Sequence, residues 1–178
     1  GMISNDTIEE LEARNIHYIL GARMRRVKEI KLDVLSRGGR YREVYPEGVT
    51  SKDPSPLKVK EVSHNGKRYI VCMNTRQARK DAADRQAIIA SLKEQLKKGP
   101  KSLVGNKGYR KYLKVEKNSA CVDTDKVKHE SRFDGKWVLS SNMDLPAEQV
   151  ALKYKELWQV ERVFRDVKTM LHTRPVFH

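Results

Sequence analysis

Ala147-Glu148-Gln149-Val150-Ala151-Leu152-Lys153-Tyr154-Lys155-Glu156-Leu157-Trp158-Gln159-Val160-Glu161-Arg162-Val163-Phe164-Arg165-Asp166-Val167-Lys168 reads as one long helix. Asp144 is placed to cap it, Pro146 suits its first turn, and Pro175 closes the region. In steps of three and four, Val150, Tyr154, Leu157, Glu161, Phe164 and Lys168 share a face. That face is apolar apart from Glu161, Lys168 and the hydroxyl of Tyr154. A carboxylate on an apolar stripe is costly unless it is paired, holds a metal or does chemistry. Tyr154, Glu161 and Lys168 are seven residues apart, and a heptad step turns a side chain by only about 20°. The three polar tips form a row, which is the candidate site. The plainer alternative is an amphipathic helix whose Glu161 and Lys168 edge the stripe and reach solvent.

Composition narrows the classes of function. The chain has 178 residues, enough for one domain or one domain and part of another. Its 37 Lys and Arg outnumber 23 Asp and Glu, a formal charge of +14. Such an excess favours an anionic partner, nucleic acid above all. Cys72 and Cys121 show neither CxxC spacing nor a histidine pattern, and are expected as reduced, partly buried thiols in strands. The sequence has neither an apolar run of membrane-spanning length nor a signal-peptide stretch, so a soluble cytoplasmic protein without a membrane partner is expected.

Outward from the long helix, the remaining elements follow from periodicity and turn chemistry. Asp6 and Glu9 suggest a capping box for a helix over 7–14, ended by Asn15. Ile16–Leu20 reads as a short buried strand. Val27, Ile30, Val34 and Leu35 predict a second amphipathic helix, stopped by Gly38-Gly39, and Tyr41–Tyr45 alternates as a strand. Residues 46–56 hold three prolines and read as an exposed loop. Strands 57–62 and 68–73 flank Asn65-Gly66, a type I′ hairpin signal. Thr75–Lys98 is a long helix with Ala78, Ala82, Ile89, Leu92 and Leu96 on one face. Its other face carries Arg76, Arg79, Lys80, Arg85, Lys93, Lys97 and Lys98, with an Asp81–Arg85 pair at i, i+4. After a Gly- and Lys-rich loop at 99–108 come strands near 111–116 and 119–122, a helix over 124–132, and a strand over 136–141.

Three motifs carry less than they promise. Gly99–Lys107 resembles a phosphate-binding loop, but its spacing is one residue too long, no Ser or Thr follows the lysine, and no strand feeds it. It reads as a solvated basic loop. Asp123-x-Asp125 lacks the rest of a calcium loop and suits a helix start. The five histidines include no i, i+4 pair for zinc, and His17 reads as a structural strand residue.

The pattern Tyr154-x2-Leu157-x3-Glu161-x6-Lys168 resembles the Tyr, Arg, Glu, Lys signature of bacterial insertion-sequence transposases of the Asp-Asp-Glu class. Leu157 stands where that signature has arginine. Gly1-Met2-Ile3-Ser4, Tyr18-Ile19-Leu20-Gly21-Ala22-Arg23 and Tyr154-Lys155-Glu156-Leu157-Trp158-Gln159-Val160-Glu161 are phrased as in that family, over essentially the whole chain.

The resemblance implies a metal-binding, catalytic role for Glu161, with two aspartates of an RNase H-like sheet completing a site for Mg2+ or Mn2+. Two-metal strand cleavage and transfer needs one ion at the attacking oxygen and one at the leaving oxygen. Lys168 would contact a phosphate and Tyr154 the DNA backbone. Lys107, Arg110 and Lys111 are further DNA contacts expected from the basic loop. In the family both aspartates lie upstream of the segment that Gly1–Ser4 resembles, so this chain is expected to be a transposase truncated at both ends, inactive alone and binding no metal. The expected fold is α+β: a β-rich insertion domain over 23–145 between core remnants at 1–22 and 146–178. Its expected partners are DNA at the element ends and, through the core remnants, a second copy or a full-length transposase. Two alternatives are a non-enzymatic basic nucleic-acid-binding protein and a regulatory partner of the full-length enzyme.

Overall fold

The computed structural model describes residues 5–46, 57–99, 109, 111–116 and 119–170; within these, the side chains of Asn5, Glu116, Ser119, Trp158, Gln159, Glu161, Arg162, Arg165 and Lys168–Met170 are not described. Helices α1 (Asn5–Ala13), α2 (Thr75–Lys97), α3 (Thr124–Ser131) and α4 (Ala147–Met170) accompany seven strands. These are β1 (Ile19–Ala22), β2 (Arg42–Val44), β3 (Leu57–His64), β4 (Lys67–Asn74), β5 (Leu113–Glu116), β6 (Ser119–Val122) and β7 (Lys136–Ser141). The expected α+β class holds: helices accompany a five-stranded sheet ordered β1-β7-β4-β3-β2 and a two-stranded β5-β6 sheet. The chain divides into two compact units. One comprises Gly1–Asp53, Lys58–Cys72 and Val138–His178, the other Pro54–Leu57 and Met73–Trp137.

In the first unit the strand order explains the burial. The central strand β4 is covered on both faces, so Tyr69, Ile70, Val71 and Cys72 form a continuous buried run. Each such aliphatic side chain contributes about 1.5–3 kcal/mol of burial. The turn joining β3 to β4 has φ of 49° at Asn65 and 71° at Gly66, as a two-residue type I′ turn requires. β1 pairs antiparallel with β7, from Ile19 opposite Ser141 to Ala22 opposite Val138.

Several expectations shift here. α1 begins at Asn5, so Asp6 lies inside the first turn, where it favours the helix dipole. Asn15 ends the helix with φ of 54°, and the Ile16 amide closes back on the Leu11 carbonyl at 2.9 Å. The strand read over 16–20 is Ile19–Ala22 instead, with Ile16 43% exposed. Asn142 displaces it, because its amide donates to the Ile16 carbonyl at 3.0 Å and accepts from the Tyr18 amide at 2.8 Å. The helix read around Val27–Leu35 contains a π turn over Ile30–Val34, in which the Leu35 amide donates to the Ile30 carbonyl at 3.0 Å. Ile30 and Val34 are buried while Val27 remains exposed. The strand at 41–45 shortens to Arg42–Val44. All but Pro46 of the 46–56 loop, and all but Gly99 of the 99–108 loop, lie outside the described residues.

In the second unit Asn74 caps α2 by accepting from the Gln77 amide at 2.9 Å. Leu92 and Tyr112 centre a small core with Leu96, Tyr109, Leu113, Val122 and Val127. β5 pairs antiparallel with β6, Leu113 opposite Val122. Asp123 caps α3, accepting from the Lys126 amide at 2.8 Å, as a helix-start reading of Asp123-x-Asp125 implies. The turn before β7 is pinned to α2. The Gly135 amide donates to Asp81 Oδ2 at 2.8 Å, and the Gly135 carbonyl accepts from the Asn74 amide at 2.8 Å. Arg85 forks onto Asp134, with Nη2 to Oδ2 at 2.6 Å. The expected Asp81–Arg85 pair is therefore replaced: each turns to the 132–135 turn, where two charge-assisted bonds outweigh a solvated i, i+4 contact. Both cysteines are free thiols; Cys72 is buried, whereas Cys121 is exposed rather than partly buried.

Candidate functional site

The approach to α4 is tied down by side chains of the first unit. Arg68, on β4, donates to the carbonyls of Met143 and Leu145, each at 2.7 Å, and to Glu61 at 2.7 Å. That ion pair holds the Glu61 carboxyl below its ordinary range. The Ser141 hydroxyl donates to the Tyr18 carbonyl at 2.8 Å and accepts from the Met143 amide at 3.1 Å. Arg42 pairs with Glu148 at 2.9 Å in the first turn of the helix. Burial and a 2.6 Å hydrogen bond to Glu12 push the Tyr18 phenol up to about 12. An open cleft of about 650 Å³ beside this loop is lined in part by Tyr18, Glu61, Arg68, Asn142 and Asp144.

α4 then seats its first two turns. Ala147, Val150 and Ala151 are at most 1% exposed. Tyr154 continues the contact onto β1: a Cβ added to Gly21 would lie 2.7 Å from the Tyr154 hydroxyl oxygen. Beyond Tyr154 the described apolar side chains are exposed. Leu157, Val160, Val163, Phe164 and Val167 are between 42% and 62% exposed. Glu161 and Lys168 belong to the same continuous helix, two and four turns on from Tyr154, while their side chains fall outside the description.

Of the other predicted site residues, Lys107 and Arg110 lie outside the described residues. Lys111 is half-exposed; its ammonium pairs with Glu130 at 2.5 Å and stands 5.3 Å from the Tyr112 ring centre. Arg85 leaves the cationic face of α2 for Asp134, and Lys97 pairs with Glu94 at 2.8 Å. Arg76, Arg79, Lys80, Lys93 and Lys98 are exposed. Among the described residues no group of three or more His, Cys, Asp and Glu could hold a metal ion, so those residues do not by themselves fit the expected ions. No helix among them is long and apolar enough to cross a membrane.

Sequence reasoning missed Arg68 and Gly21. Arg68 had a signal in an arginine opening an otherwise apolar strand, since a cation there needs a partner. Gly21 had one in a glycine inside a strand, which marks a close approach.

A family model described as transposase DDE domain matches residues 1–175. No curated protein and no solved structure matches the chain. A match over nearly all 178 residues places this chain in the family of transposase DDE domains.

Proposed function

We propose that this chain serves DNA transposition by binding DNA through its exposed cations and by carrying, in Glu161, the helix-borne carboxylate of an Asp-Asp-Glu site. The observation that carries this reading is the seating of α4 on β1 through Tyr154 and Gly21. It sets the helix that carries Glu161 against β1, an edge strand of the five-stranded sheet. On this reading 1–22 and 146–178 are core segments, 23–145 is the β-rich insertion, and the two aspartates come from another part of the intact transposase. The chain alone is then catalytically incomplete, and Mg2+ or Mn2+ belongs to the intact enzyme. Tyr154, Lys168, Lys107, Arg110 and Lys111 serve as backbone contacts, with Lys111 exchanging Glu130 for phosphate.

The test uses intact transposase, DNA bearing the element ends, and magnesium. Glu161→Ala abolishes strand cleavage and leaves DNA affinity within about twofold, because phosphate contacts are made elsewhere. Cleavage at the parental rate would show that the helix is structural. A second reading, association with another copy or with full-length transposase, is favoured by the apolar side chains exposed beyond Tyr154. Sedimentation velocity distinguishes a monomer from these assemblies.

A further inference from the structure

The segment between β1 and β2 leaves one edge of the five-stranded sheet and arrives at the other. Four inter-strand spacings separate those edges, about 19 Å. Its contacts show where it passes. Glu29 accepts from the Tyr69 hydroxyl on β4 at 3.4 Å and lies 3.8 Å from His64 on β3, and the Arg37 carbonyl accepts from Lys60 on β3 at 2.5 Å. Met24, Ile30 and Val34 are its buried side chains.

Charge within this segment is segregated. Residues 23–42 carry eight Lys and Arg against two acids, a net +6 of the +14 of the chain. Both acids turn to His64, Glu29 at 3.8 Å and Asp33 at 3.9 Å. The next acid along, Glu43, is taken by Lys58 at 3.0 Å. Arg23, Arg26, Lys28, Arg37 and Arg40 are exposed, and among the described residues none of them meets a carboxylate. These five exposed cations lie on a segment that crosses a sheet about 19 Å wide, and a duplex offers one phosphate per ~1.7 Å of its axis.

We infer that this crossing segment is a second DNA surface, holding the phosphate backbone of duplex DNA through Arg23, Arg26, Lys28, Arg37 and Arg40. The inference rests on the DNA-binding reading above and adds to it residues outside α2 and outside the 99–111 stretch. Contacts of this kind grip phosphates and carry no sequence information.

A labelled random-sequence duplex, titrated with the whole chain at several salt concentrations, tests it. Each phosphate contact contributes about 0.9 to the slope of log affinity against log salt. Arg23→Gln/Arg26→Gln/Lys28→Gln is expected to lower that slope by about 2–3, and to weaken binding at 0.1 M salt on the order of a hundredfold. Arg37→Gln/Arg40→Gln, away from the first set, gives an independent loss of about 2 in slope. Arg76→Gln/Arg79→Gln/Lys80→Gln on α2 is the comparison. If the parent binds and both segment variants keep its slope while the α2 variant loses it, the segment is a solvated surface and the inference falls alone. If the parent does not bind duplex at low salt, or binds only single-stranded RNA, the inference and the DNA-binding reading fall together.

Discussion

Replacing Gly135 by alanine tests how the turn before β7 is held. Gly135 has φ of 62°, and a Cβ there would lie 2.3 Å from the Asn74 carbonyl oxygen, 2.6 Å from the Ala78 nitrogen and 2.7 Å from the Ala78 Cβ. Two of these are backbone atoms of the α2 cap and first turn, which cannot rotate away. Gly66 supplies the internal control, since its φ is 71° but nothing lies within 4 Å of an added Cβ. Gly66→Ala therefore costs only the left-handed backbone penalty, about 1–2 kcal/mol. Gly135→Ala adds the overpacking term of about 1–3 kcal/mol. It also strains the Gly135–Asp81 bond, for a total of about 2–5 kcal/mol. Urea titrations of parent and variants, followed by tryptophan fluorescence (Trp137 lies two residues on) and by circular dichroism, measure the difference. Equal losses for the two alanines would refute the argument that the turn abuts α2.

The two thiols separate sharply in reactivity. Burial pushes Cys72 up to about 12 while Cys121 is exposed, so a thiol reagent at pH 8 labels one cysteine per native chain and two in urea; Cys121→Ser removes the native signal. The tyrosines give a pH signature. Burial, then Glu12, raises Tyr18 from 10 to about 12, and burial, then Glu29, raises Tyr69 likewise. A raised folded value means that the stability is fully present below pH 10 and drains away between pH 10 and 12 as the unfolded phenols ionise first. Tyr18→Phe flattens that decline in a pH series of thermal melts, and an unchanged slope would count against a buried Tyr18 phenol.

Elements with one dominant local cause were legible in the sequence. The Asn65-Gly66 hairpin, the Asn15 stop, the Asp123 cap and the apolar face of α2 each depend on a few adjacent residues, and the structure keeps them. What failed was decided by partners distant in sequence. Asn142 claims the backbone of Ile16 and Tyr18 across more than 120 residues, and Asp134 claims Arg85 across 49. No window of local periodicity contains such competition. The π turn was hidden for a related reason: Ile30 and Val34 are four apart in either helix type, so spacing alone does not reveal the extra residue per turn. Spacing supplies the row of Tyr154, Glu161 and Lys168 as a candidate, but not the seat of Tyr154, which meets Gly21 through shape rather than pattern.

Pairing inside the molecule also changes what the net charge means. Arg14–Glu10, Arg42–Glu148, Lys58–Glu43, Arg68–Glu61 and Lys111–Glu130 each remove one cation and one anion, so the excess of +14 survives. Pairing does redistribute that excess. The anions of these pairs sit at fixed places, among them the α4 entry, beside β3 and β4, and the end of α3. Exposed cations outside these pairs include Arg23, Arg26, Lys28, Arg37 and Arg40 between β1 and β2 and Arg76, Arg79, Lys80, Lys93 and Lys98 on α2. Each phosphate that such a cation neutralises adds about 0.9 to the salt slope of a DNA complex. On the DNA-binding reading proposed above, composition gives the sign of the partner, and the internal ion pairs decide which cations remain for it.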